Sequence, residues 1–590
     1  MSKLNFFLIL YYIFLFFLKE LKNIYSNLVR FFKSDLEHYS FFKFFQMKFN
    51  KNINPSKSEH FQKYTFENKK IWNNKKNNKN KKKILVTSFV HAHPAYPHIN
   101  SIIGKYLEEF LDCELIGFCD NYDHTSEVIL RSFGINNVCY LFNRNPLIKF
   151  FYFLLTLKIF FSLKNINSFL KYKYNKIDIA KIVYDDVLRR SGQPTINTIS
   201  FKLCLHFSNA LYISDQYKEI IKKNKIQSIV LSETQFSPGA IIFQQSLANK
   251  ISVYSKEGAV NKISIKKFSS FSERYTARDE PSKKIFKLIF TKYRKKAAKI
   301  GFINISRRLN GVLKDEDVKD GKWAHENKKY YSKSNLCKKL SWDKKKPIAI
   351  IFSHSLIDGN FCQGSRVFKD NLTWLRETLV HIKNLDDFNW LIKPHPMDWY
   401  YQFAKTTTED EYKKIVGNKK NIRICPKDLS SISISKVVKT VVTSHGSAGI
   451  EYACLGLPVI TAGRTSFSNL KINHRAMSKK KYFYYLDHLD KLSKPTKVQI
   501  DKARVAMFIY SFLNKTKNPL IPYFDNTRYV NKDKFYKDCI LLIKKYSSSN
   551  DKFKNMFFSQ CKNNISQTVN LEVLEKLSKN QYIHYDSEKI

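Results

Sequence analysis

The chain is 590 residues long, with 102 Lys and Arg against 50 Asp and Glu, giving a formal net charge of +52 at pH 7. That length builds two or three domains without disulfide support, and the ten cysteines form no C-x-x-C pair, which excludes zinc-ribbon and thioredoxin-like sites and fits a reducing, cytosolic setting. The charge points to polyanions in general, but it is dispersed through a chain rich in Lys, Asn, Ile, Phe and Tyr, and with no homeodomain, zinc-finger or RNP-type motif the specific nucleic-acid binders are set aside.

Residues 1–50 form a hydrophobic, aromatic segment in which residues 6–18 are unbroken by charge. As a helix that run covers about 20 Å, short of the roughly 30 Å hydrocarbon core. We expect an interfacial anchor meeting an anionic membrane surface through nearby Lys and Arg, or else a helix packed on the protein body; no small-residue cleavage site marks a removed signal peptide. Residues 51–82 read as a lysine- and asparagine-rich linker.

Residues 83–300 alternate as an α/β unit. A strand at 83–90 carries His91 and His93 at its carboxyl end, and a helix at 101–111 and a strand at 113–118 follow. The aromatic stretch 150–161 reads as a buried or membrane-touching helix. Next come a helix at 178–190, a strand at 226–232, a helix at 239–249 and a strand at 251–255. Residues 301–345 lose the pattern and serve as a connection, and Asp315-Glu-Asp317 there reads as solvated surface, since no apolar strand leads into it.

The alternation resumes over residues 346–485. A strand at 347–353 precedes a helix with Leu372, Leu375, Leu379 and Ile382 on one face, then strands at 389–395 and 421–425 and a βαβ unit at 441–463. Residues 486–590 read as a helical, basic extension. Two Rossmann-like halves facing a cleft are therefore expected, with an N-terminal hydrophobic helix.

The chemistry concentrates in the second half. Ser444, Gly446, Ser447 and Gly449 leave backbone N–H groups uncovered where a helix starts, which suits a phosphate. Glu451 lies about one turn further on, placed for the hydroxyls of a ribose. Lys393 and His395 end the 389–395 strand, and Pro394 and Pro396 forbid a helix there. Ligands of open α/β sheets sit outside the carboxyl ends of the strands, so Lys393 and His395 are expected to face the crevice of Ser444–Ser447.

On the motifs Lys393-Pro-His-Pro396 and Thr443-Ser-His-Gly-Ser-Ala-Gly-Ile-Glu-Tyr-Ala-Cys-Leu-Gly-Leu-Pro458, the chain resembles the bacterial capsule and surface-polysaccharide synthesis glycosyltransferases, which are of GT-B type and include β-Kdo transferases; bacterial polysialyltransferases are related to them. Residues 182–189 with Pro194 and Thr195, residues 255–258, and residues 352–358 with Trp374 carry a looser likeness to the same family. The resemblance implies that His395 contacts the phosphate of a CMP-linked donor and that Ser444 and Ser447 complete the anion site. It also implies an acidic base in a motif of two acids and a glycine. Lys256 stands where the first acid would be, leaving Glu257.

Sugar transfer needs a stabilised leaving phosphate, supplied here by N–H dipoles, Lys393 and protonated His395. It also needs a base from the facing half, for which Glu257, Glu233 and His93 are candidates. A cleft with its own cations requires neither metal ion nor cofactor. The expected partners are a nucleotide-sugar donor and an oligosaccharide or lipid-linked glycan acceptor, at the inner face of the cytoplasmic membrane. Other readings are a CDP-alcohol polyol-phosphate transferase of teichoic-acid type, a sugar-nucleotide epimerase, and a non-enzymatic basic polyanion-binding protein.

Overall fold

The computed structural model describes residues 3–32, 58–72, 82–89, 93–120, 123–141, 146–257, 262–312, 325, 327–362, 364, 366–399, 403–523, 531–581 and 583. His91, Gly258 and Asp315–Asp317 lie outside them.

Among the described residues thirteen strands fall into two sheets. The first is built from β1 (Lys83–Ser88), β2 (Glu114–Asp120), β3 (Val138–Leu141), β4 (Ile226–Val230), β5 (Ser252–Glu257), β6 (Lys262–Phe268) and β13 (Thr516–Lys517). Its order is β13-β6-β5-β4-β1-β2-β3. The run from β3 to β5 is parallel, and β6 and β13 are added antiparallel at one edge. The second holds β7 (Ile348–Phe352), β8 (Asn389–Lys393), β9 (Ile422–Ile424), β10 (Thr440–Thr443), β11 (Val459–Thr461) and β12 (His474–Arg475). Its order is β12-β11-β10-β7-β8-β9, parallel throughout. Each sheet is doubly wound, and strand order reverses between β1 and β4 and again between β7 and β10.

Period-two alternation explains why both faces of each sheet are covered. Leu85, Ile116 and Ile229 enter one core of the first half while Ile84, Leu115 and Val230 enter the other. In the second half Ile350, Leu391 and Val441 face one layer, and Ile351, Trp390 and Val442 the opposite one.

Three segments differ from the sequence reading. Within the expected linker, Glu59–Trp72 is a helix whose Phe61, Tyr64, Thr65 and Asn68 form a buried i, i+3, i+4, i+7 face. Phe61 and Tyr64 pack on Tyr536 with ring centroids 4.8 and 5.3 Å apart; the surrounding lysines hide this stripe in composition. The expected connection is entered by the helix Arg294–Leu309 and holds another, Lys333–Leu340. The C-terminal helices are present, and they fold back onto the first half. β13 pairs with β6, His98 Nε2 lies 2.8 Å from the Leu520 carbonyl, and Tyr106 donates to Asp551 at 2.5 Å. Helix Lys497–Phe508 crosses Arg294–Leu309 so tightly that a Cβ on Gly301 would lie 2.0 Å from the Arg504 carbonyl oxygen. Only glycine fits that crossing.

The N-terminal helix spans Lys3–Phe32. Phe16 is buried against Phe153 (4.7 Å) and Phe150 (5.6 Å), and Glu20 pairs with Lys149 at 3.0 Å. Among the described residues no helix is long and apolar enough to cross a membrane.

Direct contacts join the halves. Tyr184 donates to Asp370 at 2.6 Å, the Phe361 N–H donates to Asp185 at 2.7 Å, and Arg464 pairs with Glu280 at 2.9 Å.

Candidate active site

The carboxyl ends of three strands of the second sheet each deliver an imidazole. His354 follows β7, His395 follows β8 and His445 follows β10. The strands flanking the reversal of order are β7 and β10, so His354 and His445 stand at the switch point. Their rings stack at 3.8 Å with planes 5° apart, and the His395 ring lies 6.2 Å from His354 at 18°. The Lys393 and Ser444 strands are not neighbours in the sheet: β7 lies between them, and His354 fills the gap.

A cavity of about 330 Å³ opens here, lined by His354, His395, His445, Gly446, Ser447 and Glu451 of the second half, with Asp279 and Gln235 of the first. It shares His354, His395, Gly446, Ser447, Glu451 and Arg308 with an adjoining cavity of about 550 Å³, which adds Lys393, Lys328 and His325. Lys393, His395, Gly446, Ser447 and Glu451 thus line one continuous crevice.

The turn after β10 is ordered by its own side chains. Gly446 N–H donates to Thr443 Oγ1 at 3.4 Å, and His445 N–H donates to His354 Nε2 at 3.2 Å. A Cβ on Gly446 would sit 3.1 Å from that nitrogen, which explains the glycine. The N–H groups of Ser447 and Ala448 donate to no acceptor among the described residues and adjoin the cavity at the start of the short helix Ala448–Cys454. Ser444 behaves differently. Its hydroxyl is buried, accepts from Arg366 Nη1 at 3.1 Å and lies 3.2 Å from His445 Nδ1, so it supports the turn from behind. Glu451 is held by Arg308 at 3.4 Å.

Burial dominates the electrostatics. It lowers the pKa of His395 against the pull of Asp358, so this imidazole is neutral near pH 7 in the unliganded protein, not protonated as expected from sequence. His354 and His445 are held well below the ordinary value by burial, with Arg366 and the neighbouring imidazoles adding to it. Burial also draws the Arg366 guanidinium down to about 10, and its Nη2 has no hydrogen-bond partner among the described residues. Among the described residues no group of three or more His, Cys, Asp or Glu is arranged to hold a metal ion.

The three expected bases of the first half separate. Glu233 spends its carboxylate on the N–H groups of Gln235 and Phe236, at 2.5 and 3.3 Å. His93 is pushed down to about 4 by burial and by Lys256. Glu257 pairs with Arg278 at 3.4 Å and is not among the side chains lining either cavity. Among the described residues the carboxylate that the first half presents to the cavity is Asp279, raised to about 6 by burial and by the charge of Glu257; Asp358 and Glu451 line it from the second half. Asp279 follows no strand and belongs to no motif, so pattern reading passes over it. His354 carried a signal, standing in the 352–358 stretch.

Two doubly wound sheets face one another across this crevice. The fold is of the GT-B type. No protein-family model and no curated protein matches the sequence. Similar solved structures include the beta Kdo 2,4 transferase KpsC of Thermosulfurimonas dismutans, at 9% identity over 56% of this chain and 94% of that one, TM-score 0.29. Its beta Kdo 2,7 transferase counterpart is 13% identical over 55% and 89%, TM-score 0.27. The UDP-GlcNAc 2-epimerase of Neisseria meningitidis, bound to UDP-GlcNAc, is 9% identical over 73% and 97%, TM-score 0.23. These overlays are loose, and the GT-B assignment rests on strand order and the facing crevice.

Proposed function

We propose that the protein is a glycosyltransferase that moves a sugar from a nucleotide-sugar, CMP-linked in the first instance, to a growing surface or capsular polysaccharide. The observation that carries this reading is the switch-point cavity, where His395, Ser447 and two unpaired N–H groups of the second half face Asp279 of the first. In this reading the Ser447 and Ala448 N–H groups, the Ser447 hydroxyl and His395 hold the donor phosphate, and Lys393 and Lys328 add positive charge from the adjoining cavity. Glu451, oriented by Arg308, receives the ribose hydroxyls.

The reaction breaks the bond between the anomeric carbon and the phosphate oxygen and forms one to the acceptor oxygen. Asp279, with a pKa near neutrality and Glu257 behind it in charge, takes the hydroxyl proton. The donor phosphate raises the pKa of neutral His395, and the proton gained there neutralises the departing nucleotide. The acceptor is an oligosaccharide or lipid-linked glycan, met at the inner face of the cytoplasmic membrane.

The test is to incubate the full chain with CMP-, UDP- and GDP-sugars and with a CDP-alcohol, and to measure free nucleotide. One preferred base, with turnover lost in a folded His395→Ala protein, supports the reading. Full turnover in that variant, or release only from a CDP-alcohol, removes it.

A further inference from the structure

The N-terminal helix and the helix Pro146–Ser162 pack on each other through Phe16, Phe150 and Phe153. Their outer sides remain apolar. On the first, Phe7, Leu10, Tyr11, Phe14, Phe17, Leu18 and Leu21 are exposed, a spacing of three and four that draws one stripe along the helix. On the second, Leu147, Phe151, Leu154 and Phe161 continue it. Exposure reaches 67% at Phe7 and 78% at Leu147. Single exposed apolar residues need no explanation, but a stripe across two adjacent helices does.

At the end of this stripe lies a separate cavity of about 250 Å³, sharing no lining residue with the crevice, lined by Lys19, Glu20, Lys149, Asp186, Arg190 and His206 among others. Its charges do not cancel. Lys149 pairs with Glu20 at 3.0 Å and Arg190 with Asp186 at 2.9 Å. His206 Nδ1 also lies 3.1 Å from Asp186. Lys19 is left over, with no ion-pair or hydrogen-bond partner among the described residues. Lys19 is exposed, with Lys149 and Lys202 adding positive charge around it, so an anion reaches it from solvent and meets a local excess of positive charge.

We infer that the two-helix stripe lies on a lipid bilayer and that the cavity beside Lys19 takes the phosphate of an anionic phospholipid headgroup. Charge complementarity selects the occupant: a second copy of this chain would bring its own unpaired lysine to the same place, whereas an anionic bilayer supplies apolar surface and phosphate side by side. The aromatic rings then sit at headgroup depth, where amphipathic and aromatic side chains are favoured. This inference deepens the membrane placement proposed above and is independent of the donor site.

The test is co-sedimentation of the full chain with vesicles of phosphatidylcholine alone and of phosphatidylcholine with phosphatidylglycerol, with nucleotide binding followed in parallel. The expected result is preference for the anionic vesicles, weakened about fivefold or more by Lys19→Glu. The doubly substituted Phe14→Ser, Phe17→Ser protein loses binding to both, and nucleotide binding stays unchanged in each variant. Failure of nucleotide binding with vesicle binding intact removes the donor-site reading and leaves this one standing. Equal binding to both vesicle types, an unaffected Lys19→Glu protein, or a lipid-free dimer dissolved by the Phe substitutions would overturn it.

Discussion

The ring of His445 lies flat on the ring of His354, centroids 3.8 Å apart, while the His445 backbone N–H donates to His354 Nε2 at 3.2 Å. An acceptor at Nε2 places the proton of neutral His354 on Nδ1. The pair is thus a neutral wall beside His395, the imidazole to which the proposed function gives the donor phosphate.

Nucleotide binding is therefore predicted to take up a proton. The pKa of His395 is lowered in the unliganded protein, and a bound phosphate raises it, so affinity grows as pH falls from about 8 to about 6, approaching tenfold per unit when one full proton is taken up. Titration calorimetry in buffers of different ionisation enthalpy measures that proton directly. His395→Asn should flatten the dependence, and a wild-type affinity independent of pH would refute the coupling.

Gly446→Ala places a methyl 3.1 Å from His354 Nε2. The turn must shift by a few tenths of an ångström, disturbing the two N–H groups that follow. Nucleotide affinity should fall about tenfold, or ~1.4 kcal/mol, with the fold retained by circular dichroism. Unchanged affinity would mean that the turn does not touch the ligand.

Asp279→Asn should cost about 10²- to 10⁴-fold in turnover while leaving nucleotide affinity within a few fold. Glu257→Gln acts indirectly. Its charge helps raise Asp279, so removing it lowers the Asp279 pKa and moves the acidic limb of the rate profile to lower pH. A limb that stays in place in Glu257→Gln would show that another group titrates.

The second half of the molecule was the more legible. β8 and β10 are short apolar runs ending in the polar residues Lys393 and Thr443, β7 ends at Phe352 with Ser353 and His354 following, and the prolines around His395 fix where β8 stops. Lys393, His395, Gly446, Ser447 and Glu451, singled out in the sequence, line one crevice. Which strand lies between them is a property of topology, and periodicity does not report it; the place of His354 emerged only with the sheet order. Asp279 reaches the cavity from an irregular loop, where no repeat marks a residue. Glu59–Trp72 was hidden because its buried face lies in a stretch, 51–82, rich in Lys and Asn, and its partner Tyr536 is brought to it by the returning C-terminal segment.

That return makes stability depend on His98. Buried between Tyr64 and the Leu520 carbonyl, at 2.7 and 2.8 Å, it is lowered to about 4, chiefly by burial. A histidine depressed from about 6.5 stabilises the fold fully above that pH, and the contribution is lost as pH falls toward 4, on the order of 3 kcal/mol in all. Denaturant midpoints measured between pH 7 and pH 5 should fall, and less steeply in His98→Gln, which starts lower at pH 7. Parallel profiles for the two proteins would contradict this.

The most direct test of the central claim is a calorimetric titration of wild type and His395→Ala with CMP, UDP and GDP. The account predicts that wild type binds one of these nucleotides at a single site and that His395→Ala binds it at least about tenfold more weakly, with its ligand-free melting unchanged. Equal affinity in the two proteins, or no binding of any nucleotide by wild type, would contradict it.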